Sequence, residues 1–304
     1  MPATLLDIAK LNGSDAVVGL IEENLTFAPE LSVFPSRTIR GTSYKTAIRT
    51  SYPSVGFRSA NEGVAGGQST YINKLVECFI LSANITVDKA VALAYEDGAD
   101  AWKAIEASGV MKQALIELGS QIFYGVSADA KGFPGLQSIV DAALTLDAGG
   151  TTASTGSSVY GVKFGPQNVQ LVFGGGSVID MSEWNNQTIS NVASFVSDLT
   201  GWVGLQAVNK NSVLRLKDAT ADSTKTVTDA KLGELLALAP VGNRPDYWFM
   251  SRRSAFQLQS SRSVSTAATA KSTTGQETWA PMPTESNGIP IVVTDSITDT
   301  EALS

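Results

Sequence analysis

Small and apolar residues recur at steps of three and four through one stretch of the chain: Ala104, Ser108, Met111, Leu115, Leu118 and Ile122. That spacing puts them on one face and predicts a helix over residues 96–124. Glu96, Asp97 and Asp100 give its start the negative charge that the helix dipole favours. Gly109 lies inside it, costs about 1 kcal/mol relative to alanine, and reads as a close-packing point or a slight bend. Upstream the pattern changes. Residues 42–57 and 69–87 are rich in Thr, Tyr, Ile and Val, and they flank the run Ser59-Ala60-Asn61-Glu62-Gly63-Val64-Ala65-Gly66-Gly67. This predicts a long β-hairpin over residues 36–87 with a Gly-rich tip. Pro53 in the outgoing strand suits an edge position or a break.

The remaining elements are shorter. Residues 4–25 read as a helical arm, interrupted at Asn12-Gly13-Ser14-Asp15, and Pro29 and Pro35 bracket an extended piece. After the helix comes the turn Lys131-Gly132-Phe133-Pro134-Gly135-Leu136, then an apolar run at 137–146 that predicts a short helix. The polar loop 147–159 is a candidate crossing between subdomains. Val169-Gln170-Leu171-Val172-Phe173 is a strand stopped by Gly174-Gly175-Gly176. Residues 202–208 and 213–216 are expected to pair as a hairpin around Asn209-Lys210-Asn211. A helix over 229–239 has Asp229 as its expected cap and Pro240 past its end. A buried strand at 246–250, a short helix at 252–262, a Ser/Thr-rich surface stretch at 263–287 and a last strand at 289–295 complete an α+β chain. Pro290 puts that last strand at an edge or at its entry point.

Charge sharpens this picture. The chain of 304 residues carries a net charge of −7, and charged residues make up only 17% of it, which suits a surface buried against copies of itself. Between Leu31 and Asn61 there is no acidic residue, yet Arg37, Arg40, Lys45, Arg49 and Arg58 all fall there. An acidic protein thus carries one basic ribbon, and a two-stranded ribbon is marginally stable alone, so it needs a surface to lie on. One reading is an acidic neighbour; the alternative is a nucleic-acid-binding module that uses the basic hairpin at 37–58.

Catalytic chemistry finds little footing. Histidine is absent, which removes the usual general base and the nucleophile pairs that depend on it. The lone Cys78 sits in an apolar run and reads as a small buried hydrophobe, in a chain matured in a reducing compartment. No phosphate loop or nucleophile elbow occurs, and the triple glycine at 174–176 reads as a turn because Ile179 stands where a dinucleotide fingerprint needs glycine. Asp218-Ala219-Thr220-Ala221-Asp222 lacks the glycine and distal glutamate of a calcium loop. The five dispersed tryptophans read as core or interface packing. The expectation is therefore a protein with no catalytic, cofactor-binding or metal site, no membrane span and no secretory signal.

The order of the elements resembles the Hong Kong 97-like fold of tailed-bacteriophage major capsid proteins. The stretches that carry the likeness are Phe57-Arg58-Ser59-Ala60-Asn61-Glu62-Gly63, Gly119-Ser120-Gln121-Ile122-Phe123-Tyr124-Gly125 running on to Gly132-Phe133-Pro134-Gly135-Leu136, Gly201-Trp202-Val203-Gly204-Leu205, Asp246-Tyr247-Trp248-Phe249-Met250-Ser251-Arg252-Arg253, and Gly288-Ile289-Pro290-Ile291-Val292-Val293. No one of these is specific; their order along nearly the whole chain is.

The resemblance implies an N-terminal arm at 1–35, an extended loop at 36–87, a peripheral domain at 88–146 and 246–304 with a spine helix at 96–124, and an axial domain at 147–245. It implies a shell subunit that is not an enzyme, made in the host bacterial cytoplasm and resident in the virion. Its expected partners are copies of itself, as hexamers and pentamers in an icosahedral shell around double-stranded DNA held without specific binding. A scaffolding protein, if used, would be a separate chain; a portal and a decoration protein are further partners that the resemblance leaves open. Arg37, Arg40, Lys45, Arg49 and Arg58 are then the expected intersubunit contacts.

Overall fold

The structure is a computed structural model that describes residues 4–12, 26, 28–176, 178–222, 224–269 and 280–303. In chain order its elements are α1 (Leu5–Leu11), α2 (Glu30–Val33), β1 (Ser36–Thr38), β2 (Ser43–Ser51), β3 (Thr70–Glu77), β4 (Phe79–Asp88), α3 (Lys89–Ala92) and α4 (Ala99–Tyr124). There follow α5 (Leu136–Ile139), β5 (Thr145–Asp147), β6 (Ser157–Val162), β7 (Val169–Phe173), β8 (Asp180–Met181), β9 (Asn185–Ile189), β10 (Val192–Ala207) and β11 (Val213–Ala219). The chain closes with α6 (Asp229–Leu238), β12 (Tyr247–Met250), α7 (Arg252–Thr269), β13 (Glu285–Ser286) and β14 (Ile289–Val293).

The 26 residues of α4 span about 39 Å at 1.5 Å each. It starts after Gly98, at φ +90, and stops at Gly125, at φ +57, a left-handed conformation that favours glycine. A side chain on Gly125 would collide with the backbone of Pro134 and Gly135, so the Gly-Phe-Pro-Gly turn packs directly beneath the helix end. Gln121 clasps that turn: its Nε2 donates to the Phe133 carbonyl at 2.7 Å, and its Oε1 accepts from the Asp129 amide at 3.2 Å.

The expected helix stripe is buried only in part. Leu118 and Ile122 are in the core, but Ala104, Ser108 and Leu115 are exposed and Met111 is half-buried. The reason is that α4 meets two separate clusters. Its C-terminal turns join Phe34, Phe133, Leu136, Tyr160 and Phe249, while Trp102 near its start packs with Ile8, Val87, Tyr95 and Phe195. Gly109 is not a packing point, since a side chain there would meet nothing within 4 Å. Gly119 is: a side chain there would strike the Glu30 and Ser296 side chains.

Two six-stranded sheets form the body. One runs β1-β7-β10-β4, with β8 and β9 also paired to β10; the other runs β13-β14-β12-β6-β11-β5. The expected hairpin of 202–208 with 213–216 does not form. β10 pairs β4 and β7, and β11 pairs β5 and β6, so residues 208–212 cross between sheets. Both strands are buried on both faces over this stretch, which requires central places in sheets. For the same reason the sheets do not coincide with the expected division at 147–245: β7 and β10 join β1 and β4, whereas β12 and β14 share a sheet with β6 and β11.

Smaller differences follow from local hydrogen bonds. The apolar run at 137–146 is not one helix, because Asp141 accepts from the Ala143 amide and turns the chain into β5. The cap of α6 is Thr228, whose hydroxyl accepts from the Lys231 amide; Asp229 instead takes Arg262 in a two-pronged contact at 2.7 and 2.8 Å. α7 runs on to Thr269, past the expected end at 262. The triple glycine is a turn, and Gly175 and Gly176 donate to the carbonyls of Gly41 and Ile39. The arm's second half and residues 270–279 of the Ser/Thr-rich stretch, Trp279 among them, lie outside the described residues. Among the described residues no helix is long and apolar enough to cross a membrane.

Candidate functional site

The basic hairpin is shorter as a ladder than the sequence predicts. β2 and β3 pair antiparallel from Ser43 opposite Glu77 to Ser51 opposite Thr70, with an irregularity between Arg49 and Ser51. Pro53 follows two residues later, and the chain from 52 to 69 has no strand. The expected return strand divides at Cys78. Its first half pairs with β2, and its second half, β4, leaves the ribbon to pair with β10.

The root of the ribbon is anchored in the body. Val76 and Cys78 pack on Val172, the Tyr44 hydroxyl donates to Gln206 Oε1, and Lys74 Nζ donates to the Ala207 carbonyl at 2.6 Å. Burial pushes the Tyr44 hydroxyl above its ordinary value and the Lys74 ammonium below its own. Beyond the root nothing is covered: every residue from Arg49 to Gln68 is exposed. Tyr52, Val55 and Phe57 have relative exposures of 80%, 95% and 110%.

The five expected contact residues do not form one row. Arg37 lies in β1 with its guanidinium 4.4 Å from the centre of the Tyr44 ring, and Arg40 is exposed in the bend that follows. Lys45 and Arg49 share one face of β2, opposite Leu75 and Tyr71. Arg49 stacks near both Tyr52 and Tyr71, at 5.6 and 5.5 Å, and donates to the Tyr71 hydroxyl. Arg58 sits at the tip and donates to the Glu62 carbonyl at 2.9 Å. Among the described residues none of the five has a carboxylate within ion-pair distance. Charges held by ring faces and carbonyls remain available to an outside anion. Sequence reasoning found the cations and missed their apolar neighbours; Tyr52, Val55 and Phe57 are the signal, three large apolar residues in a Gly/Ser-rich stretch beside a predicted tip.

A buried set of ionisable groups lies elsewhere, at the end of α4. Glu301 and Arg215 have side-chain exposures of 5% and 7% and approach to 3.4 Å. Ser158 donates to Glu301 at 2.6 Å, Tyr124 donates to its other oxygen at 2.7 Å, and the Thr298 amide donates to the Tyr124 hydroxyl at 2.8 Å. Burial, with the Glu301 charge beside it, drives the Tyr124 hydroxyl far above its ordinary range. This network ties the C-terminal segment to β6, β11 and α4. Its carboxylate is fully matched, which suits a structural role. Among the described residues no group of His, Cys, Asp or Glu could hold a metal ion.

Comparisons with known proteins place the fold in a family. No curated protein matches the chain significantly. Among solved structures, the fold matches a chain of bacteriophage Epsilon15 with a TM-score of 0.67, at 18% identity, over 99% of this chain and 97% of that one. It also matches the holo-SrpI encapsulin complex of Synechococcus elongatus with a TM-score of 0.51, at 8% identity, over 73% of this chain and 97% of that one. The family model for the major capsid protein GP7 matches residues 36–304. The chain therefore belongs to the GP7 major capsid protein family: it has the Hong Kong 97-like capsid fold and is a structural, non-enzymatic subunit of a phage head shell.

Proposed function

We propose that the chain closes its shell as hexamers and pentamers around double-stranded DNA, and that the hairpin is the clamp between neighbouring copies. Arg37, Arg40, Lys45, Arg49 and Arg58 then meet carboxylates of the adjacent subunit. The observation that carries this reading is the unbroken exposure of residues 49–68, with three large apolar side chains among them. Exposed patches of this kind mark interaction surfaces. Each exposed ion pair adds only about 0–1 kcal/mol. Many such pairs repeated over a closed shell hold it together and still let misplaced copies dissociate. A net charge of −7 gives the subunit no general grip on packaged DNA.

The test is to replace all five cations with glutamine and follow assembly by electron microscopy and light scattering. The expected result is a folded subunit, by circular dichroism, that no longer forms closed particles. Normal particle formation by that variant would rule the clamp out.

A further inference from the structure

Glu30 is a fully buried carboxyl group at the start of α2, just ahead of the first strand of the body. Three elements meet around it. From α2 itself, Leu31, Ser32 and Val33 bring no charge. From α4, Gly119 faces it, and the charged residue nearest to Gly119 along that helix is another acid, Glu117. The segment after β14 brings Thr294, Asp295 and Ser296; Asp295 is a further acid, paired with Arg252 at 2.9 Å. Among the described residues no lysine or arginine lies within ion-pair distance of Glu30.

The two oxygens of Glu30 differ. The Ser296 amide donates to Thr294 Oγ1 at 3.0 Å, and Thr294 Oγ1 passes its own proton to Glu30 Oε2 at 2.5 Å. Glu30 Oε1 has no hydrogen-bond partner among the described residues, and neither has the buried Ser296 Oγ. Both orphaned atoms would collide with a side chain on Gly119, so they share one small space over that glycine. A carboxylate only accepts, whereas a carboxylic acid also donates. A hydroxyl could donate to an ionised Oε1, but two hydroxyls do not balance a buried charge that has no cation. One proton on Oε1 removes the charge and gives Ser296 Oγ a donor. We propose that Glu30 is held as a neutral acid whose proton, on Oε1, is donated to Ser296, and that this shared proton is a latch fixing α2 to α4. Loss of the proton leaves an unmatched charge inside, and α2 opens to hydrate it, lifting Leu31 and Val33 from the edge of the main core. In the opened segment the acid titrates near its ordinary 4.5, while burial lets the closed site keep its proton to higher pH. The latch is therefore closed below 4.5 and weakens as pH rises toward the closed-state value.

Two measurements on the full-length subunit test this. Infrared difference spectra at neutral pH, wild type minus Glu30→Gln, should show the carbonyl band of a protonated carboxyl group. Hydrogen exchange reads the latch itself, at the Phe34 amide, which donates to the Glu30 carbonyl at 3.0 Å. After correction for the intrinsic pH dependence of exchange, opening in wild type should increase by up to about tenfold for each pH unit above 4.5 and then level off. In Glu30→Gln it should stay flat over the same range. Circular dichroism shows whether the variant has folded; if it has not, Ser296→Ala takes its place. That variant keeps the acid and loses the acceptor, so the carboxyl band should move and opening should level off at a lower pH than in wild type. A missing carboxyl band, or the same pH dependence of opening in wild type and Glu30→Gln, would overturn the latch. So would a band and a plateau that Ser296→Ala leaves in place.

Discussion

At the end of α4, Glu301 meets Arg215, Ser158 and Tyr124 within its own chain, and the segment that carries it is fixed at both ends. From Arg49 to Gln68, charged and apolar groups alike are exposed to solvent. Both regions hold costly groups; they differ in where the matching groups reside. A buried carboxylate must be answered inside the fold, because it cannot wait for assembly without destabilising the subunit. An exposed arginine or phenylalanine can wait in water at little cost. In the clamp reading proposed above, the fold separates what must be settled on folding from what is settled on assembly.

The largest effect should come from breaking the first region. Arg215→Met leaves Glu301 buried and without its cation, which costs about 3–5 kcal/mol. Urea unfolding of dissociated subunits should show the midpoint falling accordingly. Replacing Glu301 as well, with an apolar residue of similar volume, should recover most of the loss. A midpoint unchanged by Arg215→Met would mean that the network contributes nothing to the subunit.

A smaller effect is expected at Glu30, the buried carboxylate that links α2 to α4 and the segment after β14. Its Oε2 accepts from Thr294 at 2.5 Å, while its Oε1 has no hydrogen-bond partner among the described residues. Burial raises its pKa above the ordinary 4.5. A carboxyl group with a raised folded value binds its proton more tightly in the folded state, so its penalty is absent below the unfolded value and grows as pH rises through the folded one. Wild type should therefore trail Glu30→Gln in stability at neutral pH, and the gap should narrow as pH falls toward 4.5. Stability curves of both proteins across that range check the sign; a gap that widens on acidification would contradict it.

How much of this was legible in the sequence depends on the range of the interaction. The long helix, the Gly-bounded turn beneath it and the strand at 169–173 carry their signals locally, in spacing and in glycine positions. The basic ribbon was legible because charge asymmetry needs only counting. Partners across sheets were not. Residues 202–208 and 213–216 look like a hairpin because a short polar turn separates two apolar strands, yet each is claimed by strands far away in sequence. Gly109 and Gly119 show the same limit, since both are glycines on one helix and only the fold reveals that Glu30 and Ser296 crowd the second. A groove beside Glu117 joins α4, α5 and the C-terminal segment, and no local pattern brings Gln137 to Glu301.

The smallest effect on the subunit should come from the hairpin's apolar tip, and that near-zero value is the sharpest check on the contrast between the two regions. Tyr52, Val55 and Phe57 are exposed, and the Arg49 guanidinium lies near the Tyr52 ring. Changing all three to serine removes apolar surface that the subunit never buried, so its unfolding midpoint should stay within about 0.5 kcal/mol of wild type. Assembly should respond differently, because burial against a neighbour would recover roughly 1.5–3 kcal/mol for each large apolar side chain fully covered. The triple variant should therefore remain a stable, soluble subunit that fails to form particles, as read by urea denaturation beside electron microscopy. A midpoint that falls as far as that of Arg215→Met would mean that the tip packs on its own chain, and the hairpin would then belong with the body rather than with the interface.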